Sequence, residues 1–341
     1  MSSPELALVA RAQGVSTHLL SREVLESLSE APDLPALARA MARLGPQIEP
    51  AGETADIDAI DQAIRRTAAR HLRTLGRWQQ RSPGVLDAFW ADQDRRNLRA
   101  LIRGALQGAP VASRLSGLLP TPRLPDRVLT ELARQASPRA VVHQLLLMGD
   151  ADAGALQPHV QKAQPDLFAI EVTLLQAMAR RATAAAHNAD DTLRQYVRER
   201  IDVGNVQNAL LITGAPRDVD VAAAFVEGGR WLSRQAFAAA AGAASPQAAL
   251  ASMTTALAGS PLAASLPLVA GDASRLERAF LASTLERLHR LARTEPMGSA
   301  RLLGVLLRLD AQARDLRAVA WGAALGTPPA MRRQQLVTPW R

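Results

Sequence analysis

No cysteine occurs in the 341 residues. Disulfides, thiolate nucleophiles and Cys-based zinc or iron–sulfur sites are therefore excluded, and the chain suits a reducing compartment. Aromatic residues make up only 3% of the sequence, and the strand-favouring residues are sparse. Most of the 48% apolar content is alanine and leucine, both strong helix formers, so composition alone points to an all-α protein. Lys162 is the only lysine; with the alanine richness, the preference for arginine reads as genome composition rather than function. The opening MSSPELALVARAQG has neither a basic n-region nor a continuous apolar h-region, so no signal peptide is expected.

Motifs for common chemistries are also missing. There is no GxxxxGK[ST] phosphate loop, no GxGxxG after a strand and no GxSxG elbow. His18, His71, His143, His159, His187 and His289 are never three or four residues apart, so no metal-ligand spacing arises. His71 falls on or beside an apolar helical face and reads as a core or boundary histidine. No residue is assigned a catalytic, cofactor-binding or metal-ligating role, and no cofactor is expected.

The net charge is +8, unevenly spread. Residues 1–110 and 111–219 each carry +1, whereas 220–341 carry +6, with 14 basic and 8 acidic side chains. A basic end suits nucleic acid, anionic lipid or an acidic protein. These arginines are dispersed and lack interleaved aromatics, which favours a solvated face over a nucleic-acid surface. Between Arg234 and Asp272 no charged residue occurs. The run is longer than a bilayer span, but it is mostly alanine and is broken by Pro246, Pro261 and Pro267, so it reads as short buried helices.

What the chain does contain is an internal repeat. LSREVLESLSEAPDLPALARAMARLG (20–45), LPDRVLTELARQASPRAVVHQLLLMG (124–149) and LSRQAFAAAAGAASPQAALASMTTALAG (232–259) share one pattern: helix, proline-marked turn, helix, glycine. Ser137-Pro138 and Ser245-Pro246, with Asp33 and Pro35 in the first copy, read as N-caps followed by proline in the first turn. Gly45, Gly149 and Gly259 read as left-handed terminators. Gly228-Gly229 reads as a tight turn before the third copy.

A long amphipathic helix follows each pair, carrying Ile60, Ile64, His71 and Leu72 in the first copy, Ile170, Leu174 and Met178 in the second, and Leu281, Leu285 and Leu288 in the third. A closing helix then carries Asn97, Asn205 or Asp315, which are 108 and 110 residues apart. Asp61, Glu171 and Glu277 recur at separations of 110 and 106. Threefold recurrence suggests a structural task for these carboxylates, as helix caps or dipole partners, since a catalytic pair needs no third copy. A unit of this length can hold its own core, giving three domains: 1–110, 111–219 and 220–341. Trp78, Trp90, Trp231, Trp321 and Trp340 are scattered; most read as core anchors, with Trp340 the one expected at the surface.

In order along the chain, RAQGVSTHLLSREVLESLSEAPDLPALARAM, DIDAIDQAIRRTAARHL, DRRNLRALIRGALQGAP, PDLFAIEV, VRERIDVGNVQNALL, VEGGRWLS and RDLRAVAWGAALGTPPAMRRQQL resemble the C-subunit family of V-type and A-type ATPases, whose eukaryotic member is the d subunit. The resemblance covers essentially the whole chain. It implies three helical-bundle domains in a funnel about a pseudo-threefold axis, and a non-catalytic rotor component on the cytoplasmic face of the membrane. The implied partners are the central axle subunits and the membrane proteolipid ring, with one copy per complex serving proton or sodium transport. No nucleic acid is implied, and the membrane is met only through partners. On the residues alone, a helical protein–protein adaptor unrelated to ATPases and a nucleic-acid binder using the basic C-terminal third remain alternatives. If the rotor reading holds, arginines of 275–341, Arg314 and Arg317 among them, are expected to face acidic groups of the axle or ring.

Overall fold

In this computed structural model, residues 3–52, 56–77, 84–213, 220–263, 266, 273–295 and 298–338 are described. Every regular element among them is helical and none is a strand. The first repeat comprises α1 (Ser3–Ser16), α2 (Arg22–Ser29), α3 (Leu34–Ala42), a 3₁₀ turn (Gly45–Gln47), α4 (Ile57–Gly76) and α5 (Val85–Leu106). The second holds α6 (Val111–Leu115), α7 (Asp126–Ala133), α8 (Pro138–Leu147), α9 (Ala153–Val160), α10 (Leu167–Ala186) and α11 (Asp191–Ile212). The third holds α12 (Val221–Ala224), α13 (Arg234–Ala241), α14 (Pro246–Ala256), α15 (Ala273–Thr294), α16 (Ser299–Ala324) and α17 (Pro329–Gln334).

Local chemistry explains why the short helices start and stop where the repeat places them. Asp33, Ser137 and Ser245 each accept the backbone N–H three residues on, from Ala36, Ala140 and Ala248. Proline stands in the first turn of all three helices that follow, where its missing N–H leaves no bond unmade. Gly45, Gly149 and Gly259 have φ of 58°, 73° and 81°, which an L side chain rarely adopts, so the chain leaves each helix there. Asp56 and Asp166 cap α4 and α10 by accepting from Ala59 and Ala169.

The charge-free stretch forms α13 and α14, each burying one face through Phe237 and Ala240, then Leu250 and Met253. Residues 264–265 and 267–272, with Pro267 and Asp272, lie outside the described residues, as do Trp78 and Trp340. Among the described residues no helix is long and apolar enough to cross a membrane.

The chain divides into two compact units, neither continuous in sequence. One comprises Met1–Leu86, Pro110–Thr130 and Leu285–Arg341; the other comprises Asp87–Ala109 and Glu131–Thr284. In the first unit, α16 packs against α1, α2, α3 and α4, and α17 packs against α2 and α16. In the second, α11 packs against α10, α12, α13 and α14, while α9 lies on both α8 and α10. The closing helix of one repeat thus packs on the short helices of another: α16 of the third repeat on α2 and α3 of the first, and α11 of the second on α13 and α14 of the third. That exchange is why the limits of the units differ from the repeat limits at 110 and 219.

The physical cause lies in the closing helices themselves. An amphipathic helix such as α4 needs one apolar neighbour. By contrast α11 and α16 bury residues on every side, from Leu193 to Ile212 and from Ala300 to Ala323. They require neighbours all round.

Candidate functional site: buried polar networks and exposed helix ends

The middle of α5 reads Ala91-Asp92-Gln93-Asp94-Arg95-Arg96-Asn97, and all but Arg96 are buried. Ions cannot remain charged in such a place without partners. Asp92 has three. Arg95 Nε donates to Oδ1 at 3.1 Å, Arg96 Nη2 to Oδ2 at 2.6 Å, and Arg200 Nη2 of α11 to Oδ1 at 2.9 Å. Burial alone would raise the Asp92 pKa; the three guanidinium groups, Arg200 foremost, hold it well below the usual carboxylate range. The Arg200 guanidinium also lies 5.3 Å from the centre of the Phe280 ring. Asp94 pairs with Arg181 at 3.0 Å, and Arg180 pairs with Asp152 at 2.8 Å.

Asp92 and Arg200 stand 108 residues apart, which is the repeat period. Equivalent positions of two copies therefore meet directly, one acidic and one basic. The sequence carries the signal, a polar run in the interior of an otherwise apolar closing helix, but helical periodicity by itself assigns such residues to solvent.

The recurring acids prove to be ion-pair partners of the closing helices. Asp61 accepts from Arg317 Nε at 2.7 Å. Glu171 is 2.9 Å from Arg99 Nε and 2.7 Å from Arg103 Nη2. Glu277 is 3.5 Å from Arg95. The task is structural, but the expected capping or dipole role is corrected. Asp56 and Asp166 cap α4 and α10, and the recurring Asp61 and Glu171 lie a turn further in, where they bridge to another helix. Arg99 and Arg317 occupy equivalent repeat positions, each reaching the recurring acid of the following copy, with the third followed by the first.

The recurring Asn205 and Asp315 hold chain segments that return to the closing helix. Asn205 Oδ1 accepts the Val226 N–H at 2.9 Å and its Nδ2 donates to the Val226 carbonyl at 2.8 Å. Asp315 accepts the N–H groups of Val337 at 2.7 Å and Thr338 at 2.9 Å. One turn earlier, Asp202 accepts from Arg230, Trp231 and Leu232 at 2.9, 3.0 and 3.2 Å, and Gln312 Oε1 accepts from Leu20 at 2.7 Å. Leu20 and Leu232 both open the repeated short-helix pair. Gly229 fits this turn because a Cβ there would sit 2.2 Å from Asp202 Oδ1. Burial pushes the carboxyls of Asp202 and Asp315 above the usual range against these hydrogen bonds.

On the surface, the C-terminal ends of the closing helices expose apolar side chains. Leu106 and Leu211 do so in one unit, Trp321 and Leu325 in the other. Leu211 and Trp321 are again equivalent, 110 residues apart. Trp90 is the buried anchor expected, whereas Trp321 is 44% exposed. Arg314 and Arg317, named as candidates to face partner acids, are both paired within the chain. Arg317 is held by Asp61, and Arg314 pairs with Asp310 one turn before it at 3.1 Å. His71 is buried as expected, stacked on His18 with ring centroids 6.1 Å apart.

Among the described residues the chain is all-helical, and its buried polar side chains tie its own helices together. The family model for the ATP synthase (C/AC39) subunit matches residues 8–335, and the chain belongs to that family, the C subunits of V-type and A-type ATPases. The C subunit of the A-type ATP synthase of Haloferax volcanii is 25% identical over 296 residues, covering 82% of each chain. Its counterpart of the same name in Halorubrum lacusprofundi is 27% identical over 188 residues, covering 53% of each.

Proposed function

We propose that the chain is a non-catalytic central-stalk component of a rotary ATP synthase or ATPase, coupling the axle to the membrane proteolipid ring during proton or sodium transport. The family match over residues 8–335 carries the reading. In it the three repeats stand about a pseudo-threefold axis at the cytoplasmic end of the ring, as one copy per complex, peripheral to the membrane. The meeting of Asp92 with Arg200, equivalent residues of two repeats, accords with that arrangement, because residues close to a rotation axis meet their own equivalents.

The reading also suits the physical demands of the task. A coupling that carries torque must resist shear, and closely packed helices cross-linked by buried hydrogen-bonded ion pairs deform less than a purely apolar interface. Exposed apolar groups at repeat-equivalent ends of the closing helices, Leu211 and Trp321, supply contact area for partners.

The test is co-purification. The tagged chain, expressed in its native cells and isolated from detergent-solubilised membranes, should bring down the other ATP synthase subunits in fixed stoichiometry. Its depletion should uncouple nucleotide hydrolysis from ion movement while leaving the hydrolytic head active. Recovery of the chain free of all ATP synthase subunits defeats the reading.

A further inference from the structure

The arginines of the basic C-terminal third divide by what they touch and by how far they are buried. Arg314 and Arg317 have carboxylates of their own chain. Arg308, in the middle of α16, is half-buried and has no hydrogen bond or ion pair among the described residues. The residues about one turn away on α16, Gly304, Val305, Ala311 and Gln312, include no acid. Burial lowers the Arg308 pKa, with no neighbouring charge to offset it.

Arg308 lines a cleft of about 270 Å³ formed by α1, the second half of α15, and α16, all within one compact unit. His289, Arg293 and Arg301 line it too, and among the described residues no carboxylate does. Leu288 and Val305 give it an apolar floor. Arg301 is held in place by Gln13 Oε1 at 2.6 Å. A half-desolvated guanidinium without an ion-pair partner is unfavourable in the isolated chain, and an anion from outside would complete it.

We infer that this cleft is a docking site for a carboxylate side chain of an acidic protein segment, with Arg308 as its principal ion-pair partner. The size of the cleft suits one side chain better than a nucleotide. The apolar floor suits a carboxylate on a hydrocarbon stem better than an inorganic oxyanion. Arg293, exposed at the rim, steers the approach while Arg308 closes the pair. The inference rests on the central-stalk reading for its partner, an acidic segment of a neighbouring protein of the complex.

Arg308→Met tests it through two measurements that a merely structural arginine would move differently. In the isolated full-length chain the variant should raise the midpoint of thermal unfolding by about 2 °C, because an unpaired, partly desolvated cation is removed. In detergent-solubilised complex it should lower, by about twofold, the salt concentration at which the chain dissociates. Arg293→Gln should shift the salt release in the same direction by less. A lowered midpoint with unchanged salt release means that Arg308 serves the fold, and overturns the inference. Calorimetric titration of the isolated chain with inorganic phosphate and with succinate covers the other source of anion. Binding of either tighter than about 10 µM, lost in Arg308→Met, would place a free small anion in the cleft and overturn the protein partner. Absence of the wild-type chain from the purified complex removes the central-stalk reading itself, and with it the proposed partner.

Discussion

At the residue scale, His71 shows how one buried side chain sets a pH limit. Burial foremost, then the charge of Arg70 and the neighbouring His18, lower its pKa from 6.5 to about 4. The folded chain therefore holds the ring neutral, whereas the unfolded chain protonates it near pH 6.5. Stability from this group is complete above pH 6.5 and falls as pH drops toward 4, because the unfolded state takes up the proton first. The expected loss is on the order of 2–3 kcal/mol across that window. His71→Leu keeps the buried shape without the proton site. Its urea-unfolding free energy should be flatter than the wild type's between pH 6.5 and 4.5, the difference between the two chains changing by at least about 1 kcal/mol. Parallel curves would mean that the ring is solvated in the native state.

At the scale of elements, the pair between Asp61 of α4 and Arg317 of α16 ties the first repeat to the third at 2.7 Å, largely screened from water. Removing one partner leaves a desolvated charge, so Arg317→Ala and Asp61→Ala should each cost about 2–3 kcal/mol. The double variant should cost less than the sum of the two, with a coupling energy of about 1–2 kcal/mol. Additive costs in that cycle would show the pair to be incidental. The repeat made Asp61, Glu171 and Glu277 visible as equivalents, but not what they hold. Their partners lie on other helices, and a helical period records only what happens along one helix. Asp92 was hidden for the same reason. Its three guanidinium neighbours come from α5 and α11, and only the folded chain brings Arg200, 108 residues away, to its carboxylate.

At the scale of the molecule, helix content follows from an alanine- and leucine-rich sequence with few strand formers. Circular dichroism of the isolated chain should show a predominantly helical spectrum. The same preparation should neither hydrolyse ATP nor bind it tighter than about 100 µM in calorimetry. Micromolar nucleotide binding would count against a purely structural role in the stalk.

Sequence by itself determined the helices, their caps and glycine stops, the period near 108 and the family. Each of these is written in local chemistry or in residues repeated along the chain: a hydroxyl before a proline, a glycine where φ turns positive, an apolar face every third or fourth residue. Tertiary structure alone decided which helices share a core. It placed α16 on α2 and α3, and α11 on α13 and α14, because closing helices buried on all sides need neighbours from another repeat. It also placed Arg314 and Arg317 against carboxylates of their own chain and Arg308 in a cleft with no carboxylate among its described lining residues. Arg308, Arg314 and Arg317 are indistinguishable as letters; only position relative to Asp61, Asp310 and an acid-free cleft separates them.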